Sequence, residues 1–129
     1  MNDPAAPSKN LNHRWTDAFN AGDLRLLMTM YEPDAVVVPN PGAEPVQGHD
    51  AIEAVIRKFL AMGGQLRTTP RPWIIRGDIA LSSMDYVMDG GHDEDGNPVD
   101  LRGITTEVAR RQADGTWKYV IDQPFMSEG

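Results

Sequence analysis

GITTEVARRQADGTWKYVIDQPF, residues 103–125, is two runs of β-forming residues around Asp114-Gly115. Both residues of that pair tolerate the positive φ a tight turn needs, so the stretch reads as a hairpin. Side chains alternate across a strand. Thr105, Glu107 and Ala109 therefore share one face of the first run, and Val120, Asp122 and Pro124 share one face of the second. If both faces point inward, Glu107 and Asp122 are two carboxylates in one cavity.

The chain upstream supplies more sheet. Residues 79–88 alternate Ala80, Ser82, Met84, Tyr86 and Met88 against Leu81, Ser83, Asp85 and Val87, and residues 90–98 read as an acidic loop. Residues 65–76 are extended but contain Pro70 and Pro72, which cannot donate to a ladder; at least the first half of the segment is therefore expected to be an edge or a bulged strand. Further back the period becomes helical. Leu11, Trp15, Ala18 and Phe19 form one stripe that Gly22 ends. Asp23 is placed to cap a second helix carrying Leu24, Leu27, Met28 and Tyr31, stopped by Pro33. Residues 34–39 contain a β-branched run that reads as a strand. A third helix follows Gly48, with Asp50 and Glu53 early, Arg57 and Lys58 late, and Ile52, Val55, Ile56, Phe59 and Leu60 as its buried stripe; Gly63-Gly64 ends it. Residues 1–8 have nothing to bury and are expected to form a flexible tail. Residues 9–129 then make one domain, an α+β fold in which a curved antiparallel sheet packs on three N-terminal helices.

Composition narrows the chemistry. The 129 residues contain no cysteine, which excludes disulfides, thiolate metal sites and cysteine nucleophiles. A formal charge of −7 offers no patch for phosphates, so no nucleic-acid or membrane partner is expected. The amino terminus lacks the basic start and apolar core of a signal peptide, so a cytoplasmic location is expected. His13, His49 and His92 have no partners at metal-ligand spacing and no metal site is expected. Counted as an EF-hand from Asp93, the acidic loop has Pro98 where glycine is needed and Ile104 where glutamate is needed. Nucleophile elbows, phosphate-cradling glycine loops and dinucleotide fingerprints are missing, and no cofactor is expected.

Four segments carry a family resemblance: Trp15 to Asp23 (WTDAFNAGD), Tyr31 to Val36 (YEPDAV), Val46-Gln47-Gly48, and Asp114-Gly115-Thr116-Trp117 with Ile121-Asp122. They resemble the nuclear transport factor 2-like superfamily, and within it the SnoaL-like, SgcJ/EcaC-type proteins, over about Lys9 to Phe125. The resemblance implies a cystatin-like cone with an apolar pocket, commonly paired into a homodimer through the convex sheet face. It also places Ser82, Met84, Tyr86, Val120, Asp122 and Pro124 on the pocket side. Ketosteroid isomerases belong to the same superfamily. Laid on this chain, their proton-shuttling aspartate falls on Val38, before Pro39; their oxyanion-hole tyrosine falls on Trp15; their second, protonated acid falls near Glu107. With two of those three parts lost, steroid isomerisation by that mechanism is not implied.

Two readings are open for the carboxylates. Two acids in a partly apolar cavity cannot both ionise cheaply, which would leave an acid beside a base. Alternatively Glu107 pairs with Arg71 or Arg102, and Asp122 caps the sheet end. Trp15, Phe19, Tyr31, Met84 and Tyr86 either line a ligand pocket, with Ser82, Thr105 and Val120 beside them, or pack as core; in this fold the pocket wall is also core. The expectation is a pocket for a small apolar organic ligand, serving cofactor-independent isomerisation, cyclisation or dehydration by Glu107 and Asp122. The alternative is a non-catalytic ligand-binding or protein-assembly module of the same fold.

Overall fold

The computed structural model describes residues 6–126. Three helices, α1 (Ala6–Asn20), α2 (Leu24–Met28) and α3 (His49–Ala61), accompany seven strands: β1 (Tyr31–Val37), β2 (Val46–Gln47), β3 (Gln65–Pro70), β4 (Ile74–Arg76), β5 (Ile79–His92), β6 (Pro98–Arg111) and β7 (Trp117–Met126). The strands form one open, curved sheet in the order β2-β1-β7-β6-β5-β3, with β4 also on β5. The core lies between the concave side of that sheet and the apolar stripes of α1 and α3, where Leu11, Ala18, Phe19, Ile52, Val55 and Ile56 are buried.

Local chemistry fixes each junction. The Asp23 carboxylate accepts from the Leu26 amide at 3.1 Å and caps α2. Gly63 ends α3 at φ +75°, a conformation that costs glycine little. Gly64 is required for a different reason, since a Cβ there would stand 2.6 Å from Met88 Cγ. Asn20 at the end of α1 binds the Leu66 peptide of β3 from both sides, accepting at 2.7 Å and donating at 2.8 Å. The edge strand is thereby docked on the helix.

Several elements depart from the sequence reading. Residues 6–8, expected in the tail, belong to α1, and residues 1–5 lie outside the described residues. Tyr31 opens β1 rather than extending α2, because α2 closes after one turn and the Tyr119 amide binds the Met30 carbonyl at 2.8 Å. Pro33 is tolerated inside β1 where the β1–β7 register shifts between Tyr31 and Val36, so its missing N–H costs no ladder bond. The sheet is mixed: β1 runs parallel to β7, while the other pairs are antiparallel. The long hairpin continues to His92 and restarts at Pro98. Its tip is tied by the Asp93 carboxylate, which accepts from the Asp95 and Asn97 amides, each at 2.9 Å. The final turn is longer than two residues; Gly115 takes φ +89° and Asp114, at negative φ, accepts from the Thr116 amide. A second register shift, between Val108 and Ala109, changes the phase of β7. Tyr119 opposite Ala109 and Asp122 opposite Glu107 both point inward, and Val120, expected on that face, sits in the bulge between them.

Candidate active site

Glu107 of β6 and Asp122 of β7 are direct cross-strand partners. They are 2% and 8% exposed and stand at the inner end of a small cavity. The inner chamber, about 40 Å³, is lined by the two acids with Tyr31, Thr105 and Tyr119, and by Trp15, Val55, Ile56 and Phe59. An outer chamber of about 60 Å³ adds Phe19, Leu66, Tyr86, Leu101 and Phe125. Trp15, Phe59, Met84, Thr105 and Pro124 border both. A water needs roughly 10–15 Å³ of space, so both chambers are large enough to admit a small molecule.

The hydrogen bonds reaching the carboxylates come from neutral hydroxyls. Ser82 Oγ donates to Glu107 Oε1 at 2.6 Å, and Thr105 supports the same carboxyl. The Thr105 hydroxyl oxygen itself accepts from the Met84 amide at 3.0 Å, which leaves its proton free to donate. Tyr31 OH donates to Asp122 Oδ2 at 2.8 Å while accepting from Trp15 Nε1 at 3.0 Å. The indole can only donate, so the single Tyr31 proton must face Asp122. The Tyr119 hydroxyl donates to Asn12 Oδ1, and the Tyr31 and Tyr119 rings meet at 5.4 Å.

Burial governs the proton affinities. Desolvation first, and the neighbouring Asp122 charge second, push Glu107 up to about 8. Desolvation pushes Asp122 up to about 6, opposed by the Tyr31 hydrogen bond. The two share a site and titrate as a pair; between those values the pair carries one proton. Burial also raises Tyr31 and Tyr119 well above the usual phenol range. Arginine pairing of Glu107 is not what the geometry shows: Arg71 binds Asp85 through two hydrogen bonds, at 2.9 and 3.2 Å, and Arg102 is exposed.

Of the residues named from sequence, Trp15, Met84 and Thr105 border both chambers, Phe19 and Tyr86 the outer one, and Tyr31, Glu107 and Asp122 the inner one. Gly103, opposite Tyr86, makes room for the ring; a Cβ there would meet the Tyr86 hydroxyl at 3.2 Å. Ser82 lies behind Glu107, and Val120 borders neither chamber. Sequence reasoning missed Tyr119, hidden by the bulge, and Phe59 and Val55, read as core because a helical stripe does not distinguish core from cavity wall. His49 Nε2 lies 3.0 Å from the Tyr31 carbonyl, away from the carboxylates. Among the described residues no group of three or more potential metal ligands occurs, and no helix is long and apolar enough to cross a membrane.

A curved mixed sheet closed by helices over a buried acid pair defines a cone-shaped α+β fold. The chain belongs to the SnoaL-like domain family, whose model matches residues 12–120. Its fold is shared by a conserved protein from Planctomyces limnophilus DSM 3776, 19% identical with a TM-score of 0.77 over 91% of each chain. It is shared equally by an NTF-2-like protein of unknown function from Shewanella oneidensis MR-1, 18% identical at TM-score 0.75 over 94% of this chain and 98% of that one. A ketosteroid isomerase-like protein from Erwinia carotovora atroseptica SCRI1043 is 19% identical at TM-score 0.76, covering 95% of each chain. Among curated proteins none matches the chain.

Proposed function

We propose that the cavity binds a small, largely apolar organic molecule and catalyses a cofactor-independent proton transfer on it, an isomerisation, cyclisation or dehydration, with Glu107 as acid and Asp122 as base. The observation that carries this reading is the cross-strand acid pair, buried in an aromatic-walled cavity and hydrogen-bonded by neutral hydroxyls. One member is held protonated and the other ionised near neutral pH, as general acid–base chemistry requires. The resemblance puts the isomerases' base at Val38, whose amide donates to the Asp122 carbonyl at 3.1 Å; the missing acid of β1 is thus replaced from the adjacent strand. Tyr86, Tyr31 and Trp15 supply hydroxyl and indole groups around the same space.

Exchange of the α-protons of cyclopentanone in D₂O, followed by NMR, tests the proposal with a probe that fits the chambers. The expected result is catalysed exchange confined between about pH 6 and about pH 8, reduced at least ~100-fold in both E107Q and D122N. Exchange that neither substitution slows would remove the assignment.

A second reading rests on the other side of the sheet. Ile74, Leu81, Val108 and Ile121 are successive cross-strand partners from β4 to β7, and Ile74, Leu81 and Ile121 are 68%, 43% and 43% exposed. A second copy of the chain covers this apolar row, making a homodimer and giving the fold an assembly role with or without catalysis. Sedimentation equilibrium should show a dimer that L81E converts to monomer; a wild-type monomer at every concentration contradicts it.

A further inference from the structure

Phe59 borders three separate spaces. Besides the inner and outer chambers it lines a groove of about 300 Å³ bordered by Ala51, Ala54 and Lys58 of α3 and by Pro39, Asn40 and Val46. Val55 is shared by the groove and the inner chamber, but Phe59 is the side chain common to all three. The groove is therefore separated from the acid-bearing chamber by buried Val55 and, one helix turn on, by the partly exposed ring of Phe59. That ring is held in place by Phe125, which meets it edge-on with centroids 5.8 Å apart.

We propose that Phe59 determines the size of the molecule that reaches Glu107 and Asp122: its ring limits the ligand to the two chambers, and removing the ring lets a longer apolar chain run into the groove along α3. This rests on the reading of the cavity as a ligand site, and adds the residue that sets its length specificity. In the wild type, ligand atoms that outrun the two chambers meet the Phe59 ring. In a variant without the ring, each further methylene that enters the groove is buried and tightens binding about fourfold.

The test is a series of linear methyl ketones, from butanone to 2-dodecanone, titrated by calorimetry into the full chain and its variants. Wild-type affinity should climb with length and stop rising once the two chambers are filled. F59A should keep climbing for several methylenes more, and F59W should stop earlier; F59L reads in the same direction as F59A should the alanine variant fold poorly. The same break point in wild type, F59L and F59W would overturn the role of Phe59 while leaving the cavity as a ligand site. Failure of even butanone and 2-pentanone to bind any of the chains would remove the cavity reading and this inference with it.

Discussion

The two faces of one sheet treat the same functional group in opposite ways. On the water-facing side Asp85 of β5 is bound by Arg71 at 2.9 Å, Glu32 of β1 by Arg110 at 2.8 Å, and Asp89 of β5 by Arg67 at 2.7 Å. The hydrogen bond from Arg71 holds the Asp85 carboxyl below its ordinary range, and that from Arg110 does the same for Glu32. On the concave side Glu107 and Asp122 meet Ser82, Thr105 and Tyr31 instead, and both are pushed upward. Among the described ion pairs, none includes Glu107 or Asp122. Asp85 and Asp89 are about half exposed, and Glu32, less exposed, is neutralised by Arg110. The inner pair costs the fold free energy whenever it ionises, and a charge kept at such a cost is better explained by chemistry than by stability.

Replacing the inner acid sharpens that contrast most. Because the folded chain holds Glu107 at about 8 against 4.5 for a free side chain, it binds more protons than the unfolded chain between those values. The stabilisation is complete below the unfolded value and is lost as pH climbs through the folded one, with a slope of up to about 1.4 kcal/mol per pH unit for each extra proton. Glutamine mimics the protonated form. The expected outcome in urea titrations is equal stability of E107Q and wild type near pH 4, and a more stable E107Q at pH 8. A wild type as stable at pH 8 as at pH 5 would show that the inner carboxylates are no more burdened than the outer ones.

Much of this arrangement was legible in the sequence, and what was not has identifiable causes. The shared face of Ala80, Ser82, Met84, Tyr86 and Met88 follows from period-2 alternation, as do the inward phases of Glu107 and Asp122 in one hairpin; their direct opposition depends on the shift between Val108 and Ala109, because the pairing next to the turn alone would set Glu107 against Ile121. The phase of Val120 failed because a bulge adds one residue with no compositional mark. The parallel pairing of β1 with β7 joins residues some 90 positions apart, such as Tyr31 and Tyr119, and local patterns carry no information about it. Tyr31 was placed at the end of a helix since its spacing from Leu24, Leu27 and Met28 fits a stripe; its position under Trp15, donating to Asp122, depends on that distant pairing. Phe59 matched the helical period equally well as core or as partition, and the groove that separates those meanings is made by the loop after β1.

Single contacts on the two faces give the smaller effects. Y31F removes the hydroxyl that accepts from Trp15 and donates to Asp122, leaving a half-buried indole N–H and a buried carboxylate each short of a partner. An unsatisfied buried group costs about 1–3 kcal/mol, and loss of the Tyr31 hydrogen bond raises the proton affinity of Asp122 further, since that bond is what opposed desolvation. Y31F should therefore lower the melting temperature and move the lower edge of the pH profile upward. R67A, which breaks the 2.7 Å pair with Asp89 where both side chains are more than half exposed, should leave the melting temperature unchanged at physiological salt, because water and screening replace such a pair. Equal losses from Y31F and R67A would mean that the sheet does not distinguish its faces, and the inner carboxylates would then need no functional explanation.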